Sequence, residues 1–139
     1  MYREKIKGVI TPLITPMRED ESIHEEELRR QIRRQLAGGV QGIFTAGTNG
    51  EGYILSESEK ERILEIAIEE AGGKVPVYAG TGCISTSDTV RLSRRAQDMG
   101  ADVLSVITPS FAQASQEELF QHYKAVAAAV KIPVVLYNI

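Results

Sequence analysis

The sequence predicts an α/β fold, the amino-terminal half of a (β/α)8 TIM barrel with four βα units and a fifth parallel strand. Three observations support this prediction. Short apolar segments alternate with longer segments whose apolar residues recur at helical spacing. The pattern repeats after roughly sixty residues, about the length of two βα units. The chain has 139 residues, whereas a closed barrel takes about 250.

Five segments are predicted as strands. Each is apolar, contains β-branched residues and is bounded by glycine, proline or polar residues. The first is expected to be buried on both faces, as strands of a parallel sheet usually are. In chain order the segments are Gly8–Ile14, Gly42–Ala46, Pro76–Gly80, Asp102–Ile107 and Pro133–Tyr137.

Four helices are predicted between these strands. Two of them open with a capping box, in which a serine and a glutamate three residues later satisfy each other's backbone N–H groups. Paired glycines end the first two helices. The helices run from about Ile23 to Gly38, from the capping box Ser56–Glu59 to Gly72, over Thr86–Asp98, and from the capping box Ser115–Glu118 to about Val130.

The internal repeat favours an all-parallel barrel over a doubly wound sheet. Lys74–Val77 recurs as Lys131–Val134, and the two capping boxes lie in register. We therefore expect residues 1–139 to form one partial-barrel domain. A flavodoxin-like small-molecule binding domain is the alternative topology. A half-barrel would leave unpaired backbone groups at both sheet edges, so a self-associating structural half-barrel, paired as a homodimer, is a further alternative.

Composition narrows the classes of partner. The net charge is −3, from 16 basic and 19 acidic residues whose signs interleave, so no nucleic-acid partner is expected. No apolar run approaches the roughly 18 residues of a membrane span, and a cytoplasmic protein is expected. Cys83 is the single cysteine, and His24 and His122 are far apart and expected on solvated helix faces. No metal and no cofactor is implied.

The turn Gly47-Thr48-Asn49-Gly50-Glu51 follows the second predicted strand. It brings a hydroxyl, an amide and a carboxylate together between glycines, which allow the backbone to approach a ligand closely. The carboxyl ends of parallel strands are where α/β proteins bind small molecules. This turn is therefore the candidate binding site.

With these residues placed, the chain resembles the dihydrodipicolinate synthase / N-acetylneuraminate lyase family from about Gly8 to its last residue. The order and spacing of several short motifs carry the resemblance. They are Thr11-Pro12, the Gly47–Glu51 turn, Gly80-Thr81-Gly82, Thr108-Pro109, Ser115–Leu119 and Leu136-Tyr137-Asn138-Ile139. The resemblance implies a pyruvate-dependent class I aldolase or lyase on a TIM barrel.

The resemblance also implies roles for site residues. In the family this turn binds the carboxylate of a pyruvate-like 2-oxo acid, so Gly47, Thr48 and Asn49 are the expected substrate-binding residues. Thr48 and Tyr137 match a threonine and a strand-five tyrosine that hydrogen-bond to each other, and both are expected to be catalytic. A phenol can exchange a proton with a carbinolamine, and a neighbouring hydroxyl can relay it.

Two residues depart from the synthase pattern. Asn49 stands where synthases usually have a second threonine, and Phe111 stands where they have a tyrosine that completes a hydroxyl relay from a neighbouring subunit. Phenylalanine cannot carry a proton. The departures favour a relative that cleaves or condenses other 2-oxo acids, such as a 4-hydroxy-2-oxoglutarate or 2-keto-3-deoxy sugar acid aldolase.

The family's Schiff-base lysine has no match in this chain, because it follows the sixth strand. Lys7, Lys74 and Lys131 are expected at amino ends of strands, and Lys60 and Lys124 on helices, so no lysine is expected at the carboxyl-end face; the sixth lysine is Lys5. Without an amine nucleophile no Schiff base can form. The half is therefore expected to be inactive alone.

Overall fold

The computed structural model describes residues 6–139, and within them five strands form a single sheet. Every pair of neighbouring strands is parallel, and the strand order follows the chain order. The strands are β1 (Ile10–Pro12), β2 (Gly42–Thr45), β3 (Val77–Gly80), β4 (Val103–Ile107) and β5 (Val134–Tyr137). Lys5, one of the lysines considered above, lies outside the described residues.

One helix separates each pair of strands, so the described chain consists of four βα units and a fifth strand. The helices are α1 (Glu25–Ala37), α2 (Glu57–Ala71), α3 (Thr86–Met99) and α4 (Gln116–Ala129). Both predicted capping boxes are confirmed at the starts of α2 and α4. The arrangement is the amino-terminal half of a (β/α)8 barrel.

Sequential strand order excludes the flavodoxin-like alternative. That topology places its first strand inside the sheet, between the second and third. Here β1 pairs with β2 alone among the described strands and forms one edge of the sheet, and β5 forms the other. The flavodoxin-like interpretation is therefore wrong.

The hydrophobic core lies between the sheet and its helices. Side chains of a strand alternate between the two faces of a sheet. Ile43, Val77 and Leu104 are almost fully buried in the cluster that includes Leu28 and Ile63 of the helices. The residues next to them, such as Phe44 on β2, point to the opposite, concave face, which would be the barrel interior.

The first strand is shorter and less buried than predicted. It spans Ile10–Pro12 instead of Gly8–Ile14, because only three of its residues pair with β2. The backbone N–H of Val9 donates to the Gln41 side chain at 2.8 Å instead of to a strand. Val9 and Ile14 are 60% and 58% exposed, so the expectation that this strand is buried on both faces is wrong.

The opposite edge also carries uncovered apolar surface. On β5 the side chain of Leu136 is 62% exposed, although Val134 on the same strand packs against the core. A parallel strand inside a barrel would have a further strand beside it and a helix over it. Residues 6–139 contain neither after β5. No helix within residues 6–139 has the length and apolar character needed to cross a membrane.

His122 is buried, which corrects the expectation of a solvated histidine. Its side chain is 4% exposed on α4, and its Nδ1 lies 2.9 Å from Thr86 Oγ1 at the start of α3. The ring stands edge-on to Tyr123. The α3–α4 contact therefore encloses a histidine that the helical pattern alone placed in solvent.

Candidate functional site

A cavity of about 400 Å³ opens at the carboxyl ends of the strands, and we call it the rim cavity. All five strands are parallel, so their carboxyl ends and the turns after them meet at one rim of the sheet. The cavity is lined by strand residues of the concave face and by residues of those turns. They include Phe44, Thr48, Gly82, Ser105, Thr108 and Tyr137.

Thr48 and Tyr137 meet in the rim cavity. The Oγ1 atom of Thr48, after β2, lies 3.3 Å from the phenolic oxygen of Tyr137, the last residue of β5, and either hydroxyl can donate. The Tyr137 ring stands edge-on to Phe44 with ring centroids 6.1 Å apart. This edge-to-face contact favours the observed ring orientation, in which the phenolic oxygen lies beside the threonine at the cavity wall.

The turn after β2 leaves adjacent backbone donors unused. Its N–H groups at Gly50 and Gly52 donate to the Gly47 carbonyl, and that of Glu51 donates to the Thr48 carbonyl. Within the described part of the chain, the N–H groups of Thr48 and Asn49 have no acceptor. Adjacent free N–H groups in a turn form an anion-binding concavity. The turn can therefore donate to a carboxylate without a permanent cation.

The turn is held against β3 by two glycines that have no room for a side chain. Ala46 adopts a positive φ of 52°, which turns its carbonyl group sharply at the end of β2. A Cβ atom on Gly52 would lie 2.1 Å from this carbonyl oxygen, and one on Gly80 would lie 2.3 Å from it. Backbone thus packs directly on backbone here, and the position of Thr48 depends on that packing.

The predicted site residues separate into two groups. Gly47, Thr48 and Tyr137 line the rim cavity, whereas Asn49 is exposed and is absent from its lining. Phe111 is fully exposed, with a positive φ of 78°, and also lies outside the lining. The structure therefore brings together the threonine and the tyrosine. The Asn49 side chain lies outside the cavity lining, so Asn49 can contribute to the site only through its backbone N–H.

Lys60 lines the same cavity, so the expectation that no lysine reaches the carboxyl-end face is wrong. In a βα unit the helix begins at the rim where the preceding strand ends, and Lys60 is the fourth residue of α2. Its long side chain extends from this first turn to the cavity wall. The position was readable from the sequence, because the Ser56 capping box already marked the start of the helix.

Cys83 is a second residue of the wall, after β3. Burial raises the pKa of its thiol, and the ammonium group of Lys60 is the largest opposing influence. The thiol is therefore neutral at pH 7 and a poor nucleophile. Within residues 6–139, no three His, Cys, Asp or Glu side chains come together in a way that could hold a metal ion.

Comparison with known proteins gives a consistent result. Residues 5–139 match the model of the dihydrodipicolinate synthetase family. A 4-hydroxy-tetrahydrodipicolinate synthase of Methanopyrus kandleri is 45% identical over 136 residues, which are 97% of this chain and 45% of that protein. One from Pelobacter propionicus is 45% identical, over 96% of this chain and 46% of its own length.

Solved structures agree with the sequence relatives. A chloride-inhibited dihydrodipicolinate synthase from Acinetobacter baumannii, complexed with pyruvate, matches with a TM-score of 0.94 and 36% identity over 96% of this chain and 46% of that one. A prophage protein of the family from E. coli K12, in complex with pyruvate, matches with a TM-score of 0.92 and 34% identity over 96% of this chain and 45% of that one. The chain spans about half the length of the relatives it matches.

Proposed function

We propose, since this chain belongs to the dihydrodipicolinate synthetase family, that it forms the amino-terminal half of a Schiff-base-forming aldolase or lyase acting on pyruvate-class 2-oxo acids. The contact of 3.3 Å between Thr48 Oγ1 and the Tyr137 phenolic oxygen in the rim cavity carries this proposal. This contact places two hydroxyl groups beside unused backbone N–H donors. Together these groups can bind the carboxylate of a small oxo acid and protonate its keto oxygen.

The turn is proposed to bind the ligand's carboxylate. The free N–H groups of Thr48 and Asn49 are the donors, and the Thr48 hydroxyl can add a third. Hydrogen bonds to a charged acceptor are about twice as strong as those between neutral groups. The pyruvate bound in two of the related structures supports this assignment for the parent enzyme.

Tyr137 is proposed to move a proton at the ligand's keto oxygen. When an amine attacks the carbonyl, the resulting carbinolamine must lose water, and a positioned phenol can donate the proton that the leaving hydroxide needs. Thr48 orients the phenol and can pass a proton to it or accept one. The resemblance implies that the family's amine is a lysine at the end of a sixth strand, and the described residues form five strands, so we propose that this half is inactive alone.

The distinction between a synthase and another aldolase rests on Asn49 and Phe111 and stays a prediction. The relatives compared above that are 45% identical to this chain are named synthases, which gives the non-synthase interpretation no support. The ligand class common to both interpretations is a 2-oxo acid. We also propose that the protein uses no metal and no cofactor and that it is located in the cytoplasm.

Titration of the chain with pyruvate tests the binding site. We expect a dissociation constant of about millimolar for so small a ligand, and the Thr48→Val variant should weaken binding about fivefold, the effect of one hydrogen bond of about 1 kcal/mol. Tyr137→Phe should weaken it by a similar or smaller factor. Thr86→Val makes the same change outside the rim cavity and serves as the control. Equal affinities of the chain and Thr48→Val would contradict the assignment.

Borohydride trapping tests the proposed inactivity. The chain is incubated with pyruvate and borohydride, and its intact mass is measured. We expect no stoichiometric pyruvyl adduct, and the Lys60→Met variant is the control because Lys60 is the lysine of the described chain that lines the cavity. An adduct that disappears in Lys60→Met would show that this chain carries an amine nucleophile of its own.

Self-association is a second candidate property. The exposed Val9 and Leu136 lie at opposite edges of the sheet. Each edge strand has backbone groups on its outer side that no described strand pairs with, and such edges template pairing with another chain. We propose that a second copy covers these edges and gives a homodimer.

A further inference from the structure

Lys60 is the single charged side chain among the described residues that line the rim cavity. The other lining side chains are apolar, hydroxyl or thiol groups, with several glycines, and none of them is a carboxylate. The Lys60 side chain is half-buried on α2. A cation in a partly enclosed wall attracts anions more strongly than one in open water, because the surrounding medium screens it less.

The carboxylates near Lys60 on α2 already have partners: Glu59 accepts hydrogen bonds in the Ser56 capping box, and Glu57 and Glu61 are bound by arginines of α3. Glu57 forms a two-bond ion pair with Arg91. Glu61 forms another with Arg95, with both N···O distances 2.9 Å. These bonds lower the pKa values of both carboxyl groups. Each glutamate therefore stays ionised and bound to its arginine at neutral pH.

Lys60 itself forms no ion pair within residues 6–139. Planar guanidinium groups bind carboxylates through two parallel bonds, whereas an ammonium group offers a point charge. The arginines consequently compete better for Glu57 and Glu61. Lys60 is thus left without an ion-pair partner at the cavity wall, although Glu57 lies near enough to interact with it electrostatically.

We propose that Lys60 binds a second negative charge on the ligand, so that the rim cavity selects 2-oxo acids with a distal carboxylate. This inference rests on the proposed function, since the Thr48–Asn49 turn holds the carboxylate next to the keto group. Thr48 and Lys60 line the same cavity of about 400 Å³, and the proposed ligand spans it from the turn to the lysine. A carboxylate fits better than a phosphate, because the described cavity lining has one lysine and no arginine and so offers few donors for a phosphate group.

Two five-carbon probes separate the distal charge from the rest of the ligand. The 2-oxoglutarate dianion and the 2-oxopentanoate monoanion share the keto acid end and differ at the far end. Calorimetric titration of the chain at low salt should give about tenfold tighter binding of 2-oxoglutarate, since a charge-assisted bond at a half-buried site contributes about 1.4 kcal/mol. The advantage should shrink at 0.5 M salt because exposed charges are screened.

Variants of Lys60 identify the residue responsible. In Lys60→Met the affinity ratio of the two probes should fall to about one, while Lys60→Arg should keep most of the preference. Lys124→Met removes an exposed lysine of α4 and should leave both affinities unchanged. Circular dichroism of each variant checks that α2 remains folded.

The outcomes separate this inference from the proposed function. Equal binding of both probes to the unmodified chain, or an unchanged ratio in Lys60→Met, overturns the role of Lys60 while leaving the oxo-acid site intact. Failure of both probes and of pyruvate to bind contradicts the proposed function and this inference together. A preference lost in Lys60→Met and kept in Lys60→Arg supports it.

Discussion

His122 shows how one buried side chain ties stability to pH. Its Nδ1 contacts the Thr86 hydroxyl at 2.9 Å, and its Nε2 is buried with no partner in the described structure. Burial lowers the pKa of His122 below the ordinary value of 6.5, because an imidazolium ion there would lose its hydration. The folded chain therefore takes up this proton at a lower pH than the unfolded chain does.

The sign of the effect follows from linkage. The stabilisation is complete above about pH 6.5 and is lost as the pH falls from that value towards the folded-state pKa. Urea unfolding between pH 8 and 5.5 should give a falling free energy of unfolding. In His122→Gln, which can still bond Thr86, the decrease should be smaller over the same range. Identical pH profiles for the two proteins would show that other groups cause the effect.

Residues differ in how far their roles could be predicted. The positions of Thr48 and Tyr137 were expected from a resemblance, and their contact follows from parallel strands that end at one rim. Lys60 was misplaced because assigning it to a helix ignored that the first turn of that helix shares the rim. The burial of His122 could not be predicted, because it depends on how α3 and α4 pack against each other.

At the scale of elements, the junction of β2 and β3 is the least tolerant to change. Gly80 has an ordinary φ, so an alanine there meets no backbone strain of its own. Its Cβ, however, would lie 2.3 Å from the Ala46 carbonyl oxygen and 2.9 Å from that of Thr45. Both neighbours are backbone atoms of β2 and its turn, and they can yield only if the turn moves.

We therefore expect Gly80→Ala to lower the free energy of unfolding by about 1–3 kcal/mol, the usual effect of overpacking. It should also weaken pyruvate binding, since Thr48 moves with the turn. Gly38→Ala is the matched control. Its Cβ would lie 3.2 Å from its nearest contact, the Gln35 carbonyl oxygen, and its φ is −74°. Chemical denaturation and pyruvate titration of the two variants give the comparison. Similar losses in both would argue against the close packing.

Element boundaries were predicted well where a local signal exists. The serine–glutamate boxes marked the starts of α2 and α4, and Gly72 ends α2 in the left-handed conformation. The first strand was overestimated, because apolar residues such as Val9 and Ile14 read as strand whether or not a partner pairs with them. Whether a segment pairs as a strand depends on the neighbouring strands as well as on its own residues. An edge strand has such a neighbour on one side only.

At the scale of the molecule, the two uncovered edges predict concentration-dependent association. Leu136 exposes 62% of its surface on β5, and burial of apolar area there favours a second copy. Sedimentation velocity over a hundredfold concentration range should show a dimer, and Leu136→Lys should shift the equilibrium towards monomer. Ile54, 64% exposed before α2, gives the control variant Ile54→Lys away from both edges. A folded monomer at every concentration would contradict the homodimer.

The fold class was predictable because strand-like and helix-like segments alternate along the sequence and because pairs of βα units repeat. The sequential strand order follows if every βαβ crossover has the same hand. Whether residues 1–139 behave as one domain stays a prediction, and a single cooperative transition in the same denaturation curves would support it. The number of copies in solution depends on surfaces that no pattern of helical or strand spacing describes.

Ile139 lines the rim cavity and is 76% exposed, because β5 ends at the same rim as every other strand. Anything fused after this residue would be tethered at the cavity mouth, where an affinity tag could mimic or block a ligand. Recombinant versions of the chain are therefore better tagged before Ile6. Conversely, a fluorophore or reactive warhead attached after Ile139 would sit beside the cavity and could report directly on its occupancy.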